Sequence, residues 1–270
     1  MIELKHAIQQ HNLFKSALLI SRCYKSDLDI AQSISQMEQL INQAAKFVGN
    51  VGDKFAAFER LRTFFYQQLA FSGDSKNYFA ARYNLLDEVL QYRTGIPVTL
   101  AIVFCQLGNA LGLKMQGVNF PGHFLVRFQV SDSKIVFIDP LNGECLNWQQ
   151  LEKNYFSILG EQAEKEMPLE TLEPTGCEET ILRLLQNLKA SFINEQKYHN
   201  ALSTIDLLLS LCPDDPFEIR DRGFLLHQLD CPKVAAADYE YFVERCPKDP
   251  STELLRAQIQ KLREKIVIHH

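Results

Sequence analysis

The chain has 270 residues, of which 46% are hydrophobic and 23% charged, and a formal net charge of −5. This apolar content excludes a disordered chain, and the mild acidity argues against a protein that binds nucleic acid over its whole surface. With about 150 residues per domain as a soft prior, the length implies two domains.

The start, Met1-Ile2-Glu3-Leu4-Lys5-His6, lacks the basic-then-apolar pattern of a secretory leader. The longest apolar runs, such as Ala17-Leu18-Leu19-Ile20, are far too short to cross a bilayer. Apolar residues at helical spacing predict three helices in the first 70 residues. They are carried by Leu13, Ala17, Leu18 and Ile20, by Leu28, Ile30, Ile34, Met37, Leu40 and Ile41, and by Phe55, Phe58, Leu61, Phe64 and Phe65. Asp27 and Asp53 are expected to cap the second and third. Phe71-Ser72-Gly73-Asp74-Ser75 breaks the pattern.

A fourth helix is expected over Leu85–Tyr92, interrupted by Thr94-Gly95-Ile96-Pro97. Proline suits the first position of the next helix, where an N–H is unpaired anyway. That helix, Val98–Leu111, is apolar nearly all round and should lie in the middle of a domain, ended by Gly112. Three strands follow, Met115–Phe120, His123–Val130 and Lys134–Ile138. Helices followed by a small antiparallel sheet imply an α+β domain.

Residues 161–178 are rich in Glu and hold Pro168, Pro174 and Gly176, and read as a linker between domains 1–160 and 179–270. Residues 1–165 carry 16 basic and 15 acidic side chains, and the remainder 12 and 18, so the acidity belongs to the C-terminal part. That part is all helical and repeats: Leu211-Cys212-Pro213-Asp214-Asp215-Pro216 recurs 34 residues later as Arg245-Cys246-Pro247-Lys248-Asp249-Pro250. Thirty-four is the tetratricopeptide period. The pattern positions fall on Leu185, Leu188, Phe192, Ala201 and Ile205, then on Ile219, Gly223, Leu226, Ala235 and Tyr239. Lys189 stands where a glycine is expected and Arg222 where a leucine is. Arg220 and Arg222 with Asp221 read as a solvated, mutually paired face, and the segment after Pro250 reads as a capping helix.

The chemistry-bearing residues lie between 93 and 143. A loop enters a buried helix, His123 opens one strand and Asp139 closes its neighbour. A transglutaminase-like, papain-type site has this layout. Its nucleophile sits at the N-terminus of the buried helix, where the dipole and free N–H groups lower its pKa. The His acts as base and the Asp orients it.

The matching motifs are Asn84-x-x-x-x-Val89-Leu90, Gly95-Ile96-Pro97-Val98-Thr99-Leu100, Pro121-Gly122-His123-Phe124 and Ile138-Asp139-Pro140. On these motifs residues 13–146 resemble the bacterial SirB-type family, a transglutaminase-core-like domain with C-terminal tetratricopeptide repeats. The tail from Leu182 to Leu262 resembles it too. The resemblance implies the fold and a suggested regulatory role. It also implies His123 and Asp139 as site residues. Laid on Gly95 and Ala101, the enzymes' cysteine falls on Pro97. Cys105 lies about two turns deeper, where burial should leave it inert, and Thr99 is the nearest hydroxyl.

Each site residue also has a plain structural reading. His123 can bond a backbone carbonyl, Asp139 can form a turn before Pro140, and Thr99 can bond back to a carbonyl. Arg93 either bonds helix-end carbonyls or anchors an anion. Asn84 either lines the cleft or caps a helix. Pro121 and Gly122 complete the expected lining. Seven cysteines, at 23, 105, 145, 177, 212, 231 and 246, have no C-x-x-C spacing. They suggest a reduced, cytoplasmic protein with mostly buried thiols. His6, His11, His199 and His227 have no partner at metal spacing; His269 and His270 end the chain and are not counted as ligands. The expectation is a cytoplasmic interaction or regulatory protein with a degenerate transglutaminase-like site. It needs no cofactor and no metal. It binds a protein or peptide partner through the repeats, and neither nucleic acid nor membrane directly. The alternative is an amide-bond-directed hydrolase or transferase in which His123 and Asp139 serve a non-cysteine nucleophile.

Overall fold

A computed structural model describes the chain apart from residues 75, 76, 78, 161–163, 269 and 270, with side chains described to residue 264. Ser75, part of the predicted turn, and His269 and His270 therefore lie outside the described residues, as does the start of the predicted linker. The chain divides into two compact units, Met1–Leu184 and Leu185–His270.

The first unit opens with helices α1 (Ile2–Gln9), α2 (Leu13–Tyr24), α3 (Ile30–Val48) and α4 (Lys54–Thr63), the last running into a π-helical turn at Phe64–Gln68. Asp29, not Asp27, caps α3, accepting the Gln32 N–H at 3.1 Å. Asp53 caps α4 through the Ala56 N–H. A two-residue strand β1 (Ser72–Gly73) pairs in parallel with β2 (Thr94–Gly95), with α5 (Leu86–Tyr92) between them in sequence. Helix α6 (Pro97–Ala110) is buried from Pro97 through Cys105 and again at Leu107 and Gly108. It is the axis of the unit, as its all-round apolar surface requires. Phe58, Phe65, Phe71, Phe104 and Phe128 form the aromatic centre, with Phe65 and Phe71 stacked at 4.3 Å and Phe58 and Phe128 at 4.7 Å.

Strands β3 (Lys114–Val118), β4 (Leu125–Ser131), β5 (Lys134–Ile138) and β6 (Cys145–Leu146) form an antiparallel sheet in sequence order. His123 precedes β4 and does not open it, because Pro121 and Gly122 turn the chain there. Helix α7 (Trp148–Leu159) follows, capped by Asn147.

The expected linker belongs to the first unit's core. Met167 and Leu172 are buried with Val118, Phe120, Leu125, Leu151 and Tyr155. The Thr175 N–H donates to the Gly117 carbonyl. Apolar residues spaced among the glutamates account for this, and the compositional shift masked them. The division between the units falls inside helix α8 (Cys177–Asn194).

The second unit contains the rest of α8, then α9 (Tyr198–Leu211), α10 (Pro216–Gln228), α11 (Pro232–Arg245) and α12 (Thr252–Ile268). The small repeat positions Ala201 and Ala235 are fully buried. A Cβ on Gly223 would lie 3.0 Å from Asp238 Cβ and from the Tyr239 ring, so α10 and α11 meet there at backbone distance. The two departures from the pattern make ionic contacts. Lys189 Nζ lies 2.7 Å from both Glu218 Oε2 and Asp221 Oδ2. Arg222 grips Asp238 with two bonds of 2.8 and 2.7 Å. Only Arg220 pairs with Asp221 as the solvated face was expected to do; Arg222 serves the α10–α11 contact instead.

Candidate functional site

The Phe120–His123 turn carries Pro121 at its second position and Gly122, at φ +65°, at its third, closed by the His123 N–H donating to the Phe120 carbonyl at 3.0 Å. A Cβ on Gly122 would come within 2.7 Å of Ile158 on α7, so this glycine lets the helix press against the turn beside His123. Asp139 follows β5, adjacent to β4, and the two side chains meet across the strand ends. His123 Nε2 lies 3.1 Å from Asp139 Oδ2, with the side chains 18% and 21% exposed. The approach is close, but Nε2 is buried and makes no hydrogen bond among the described residues.

Asp139 is also the turn former that its Pro140 neighbour suggested. Its Oδ1 accepts the Leu141 N–H at 2.8 Å, and its carbonyl accepts the Gly143 N–H at 2.8 Å. The turn reading of Asp139 accounts for Oδ1, while Oδ2 faces His123 Nε2. The loop it opens is held from outside by residues the sequence reading did not single out. Tyr66 donates its hydroxyl to the Pro140 carbonyl at 3.1 Å. Its ring lies so close to Gly143 that a Cβ there would be 2.5 Å away. Arg62 donates to the Gly143 carbonyl, and the Gly73 N–H to that of Leu141. Burial, and then the nearby Asp139 charge, push the Tyr66 phenol well above its ordinary value of 10, so it stays a donor. Tyr66 reaches the loop from the π-helical turn, a feature frequent at functional sites and silent in hydrophobic periodicity.

Thr99 corrects the expectation of an available hydroxyl. It is fully buried, and its Oγ1 accepts the Ile96 N–H at 3.1 Å and lies 2.9 and 3.1 Å from the Tyr83 and Ile96 carbonyls. Those bonds close the start of α6 and commit the hydroxyl proton and one lone pair to the backbone, in a fully buried position. Cys105 lies deeper in α6, and burial pushes its thiol up to about 12. Pro97 occupies the first helical position.

Among the described residues the Arg93 guanidinium bonds no helix-end carbonyl, whereas its backbone N–H donates to the Val89 carbonyl at 3.0 Å. Its backbone takes the left-handed conformation that ends α5, and its guanidinium stacks over Phe71 at 4.7 Å. Burial lowers its pKa, and buried Nη1 has no hydrogen-bond partner. Asn84 is buried on the 3-10 turn Ala81–Asn84, and the N-cap of α5 is Leu85. The structure therefore brings together His123, Asp139, Pro121 and Gly122. Thr99 is confined to a structural role. The cysteines differ from expectation as well: Cys23, Cys145 and Cys231 are exposed, and only Cys105 is buried.

Residues 22–186 match the family model of the transglutaminase-like superfamily, and residues 188–260 that of a tetratricopeptide repeat. The chain is 36% identical over 255 residues to a UPF0162 protein of Vibrio cholerae, covering 93% of this chain and 92% of that one. It is 33% identical over 258 residues to the UPF0162 protein YchA of Escherichia coli K12, with coverage of 96% and 95%. It is 32% identical over 253 residues to Protein SirB1 of Salmonella typhimurium, with coverage of 94% and 93%.

Proposed function

Since the chain belongs to the transglutaminase-like superfamily and continues into tetratricopeptide repeats, we propose that it is a cytoplasmic, non-catalytic regulator that binds a protein partner through the repeat unit. The observation that carries this reading is the start of α6. Proline stands at the first helical position, and the nearest hydroxyl, Thr99, is consumed by the backbone. A papain-type site needs a thiolate there. The only cysteine of that helix is buried and held protonated. His123 Nε2 approaches Asp139 Oδ2 to 3.1 Å without a hydrogen bond among the described residues, so the His–Asp bond of a papain-type site is not made. The transglutaminase-like unit then acts as a scaffold.

The repeat unit has what a protein-binding surface needs. Phe217 and Phe224 are exposed on α10, seven residues apart and so on one face. Arg220, between them in sequence, stacks on Phe217 and Phe242. Stacked repeats present extended surfaces for peptides and helices. Nucleic acid is a poor partner for a chain of net charge −5, and among the described residues no helix is long and apolar enough to cross a membrane.

The test is affinity capture with the full chain under conditions where one partner can be identified and its binding titrated. Phe217→Ser with Phe224→Ser should weaken that partner by about tenfold or more, the usual effect of losing a buried aromatic anchor. His123→Ala should leave binding unchanged. A partner indifferent to the α10 pair and lost with His123→Ala would contradict the reading.

The alternative of water-mediated amide hydrolysis rests on one distance, the 3.1 Å between His123 Nε2 and Asp139 Oδ2. With Nε2 turned to the carboxylate, Nδ1 would be the nitrogen that activates water.

A further inference from the structure

Helix α6 and strand β3 wall a cavity of about 510 Å3 in the first unit, lined by neither His123 nor Asp139. Its floor is apolar, with Phe14, Ile102, Met115 and Phe124 buried. Its mouth is polar, with Gln10, Gln106 and Gln116 exposed. No lysine, arginine, aspartate or glutamate lines it. The two thiols on its wall, Cys105 and Cys177, are both pushed up by burial and carry no charge at neutral pH. Helix α8 begins at this cavity, but its positive end is already satisfied. Glu179 accepts the Gly176 N–H at 3.1 Å and the Thr175 hydroxyl at 2.8 Å. His11, exposed at the mouth, is the one ionisable ring of the lining, and nothing on the apolar floor compensates a ligand charge.

The outer edge of β3 supplies a directional backbone contact. In a strand the N–H and C=O of a residue point to the same side. Met115 turns both groups to the outer edge, where the Asn109 side-chain amide takes them at 2.9 Å each. Two residues on, the Gly117 carbonyl faces the same edge and accepts the Thr175 N–H at 2.9 Å. The Gly117 N–H points there too, between those two seals. Among the described residues no backbone carbonyl outside the sheet accepts it. Gly117 is required at this spot, since a Cβ would lie 2.6 Å from the Phe124 ring. The cavity wall thus carries an unpaired amide above an apolar floor, which an acceptor seated on that floor would satisfy.

We propose that this cavity binds an uncharged small molecule with an apolar body and a carbonyl group, whose oxygen accepts the Gly117 N–H. The volume falls in the range of small-molecule sites, about 300–1,000 Å3. An added peptide strand is a poor occupant, because Asn109 and Thr175 already hold the edge on both sides of Gly117 and leave one amide open. The site is independent of the His123 region and of the repeat unit.

The experiment is a titration of the full chain, followed by amide proton–nitrogen correlation spectra, with four probes. N-phenylacetamide carries the carbonyl and no charge, phenylacetate is an anion, phenethylammonium a cation, and ethylbenzene lacks the acceptor. The expected result is a saturable shift of the Gly117 amide with N-phenylacetamide. Both charged probes should bind about tenfold more weakly or worse, since each must bury an unpaired charge. Ethylbenzene should leave Gly117 unshifted. Cys177→Trp, which fills the cavity from its wall, should abolish the Gly117 response while the His123 amide stays in place. Absence of a saturable Gly117 shift, or equal binding of a charged probe, would overturn the assignment. The wild-type titration decides the matter even if the variant fails to fold.

Discussion

Thr99 and Asp139 carry two readings each in the sequence, and the hydrogen bonds separate them. The Thr99 hydroxyl is used up by α6 and its neighbour Tyr83, so it is a structural residue. Asp139 gives Oδ1 to its own turn, and its Oδ2 lies 3.1 Å from His123 Nε2 without a hydrogen bond among the described residues. Both structural readings were open in the sequence, but spacing identifies which side chains converge and not which hydrogen bonds they make. Cys105 was legible: an unbroken apolar helix implies a protonated, unreactive thiol. Timed alkylation at pH 8 with peptide mapping should show Cys231 labelled early and Cys105 protected until the chain unfolds. The same burial has a pH consequence. The folded chain keeps the Cys105 proton up to about 12 against an ordinary value of 9.0, so the native state binds the proton more tightly in that window. This contribution to stability is intact below about pH 9 and is lost as the pH rises toward 12. Early alkylation of Cys105 in the native chain would contradict its placement.

Among the elements, those set by hydrophobic periodicity were readable and those set by long-range contacts were not. Helices α3 and α6 and the pair β4 and β5 follow from their residues. The two-residue strands β1, β2 and β6 exist through pairing alone, and the π-helical turn that aims Tyr66 leaves no periodic trace. The 34-residue period placed the repeats, but not the use of their exceptions. Lys189 and Arg222 break the pattern and make ionic contacts between helices of the unit. Lys189 faces two carboxylates in a largely buried setting, and burial already pushes the Glu218 carboxyl up despite the lysine. Lys189→Met should therefore destabilise the repeat unit by about 3 kcal/mol, the scale of leaving a buried charge unpaired. Urea unfolding of the full chain measures it, with Lys15→Met, at the exposed pair with Glu3, as a near-neutral reference. A Lys189→Met effect as small as that of Lys15→Met would show that the contact contributes little.

At the scale of the whole molecule, the division at Leu184 relocates the charge. Residues 161–184 hold seven acidic and two basic side chains, whereas residues 185–270 hold thirteen and eleven. The acidity assigned to the C-terminal part thus lies mainly in the segment that the first unit absorbs, and the repeat unit is nearly balanced. A balanced surface with exposed Phe217 and Phe224 favours recognition by apolar anchors over electrostatic steering. The first unit belongs to the transglutaminase-like superfamily, and in the proposed reading its nucleophile position holds Pro97. The measurement that tests this most directly is turnover by the purified full chain on glutamine-containing peptides, read as ammonia release, amine incorporation and peptide hydrolysis, beside His123→Ala. Wild type and variant should give the same background. A wild-type rate on the order of a hundredfold above His123→Ala, the scale of general-base catalysis, would contradict the account.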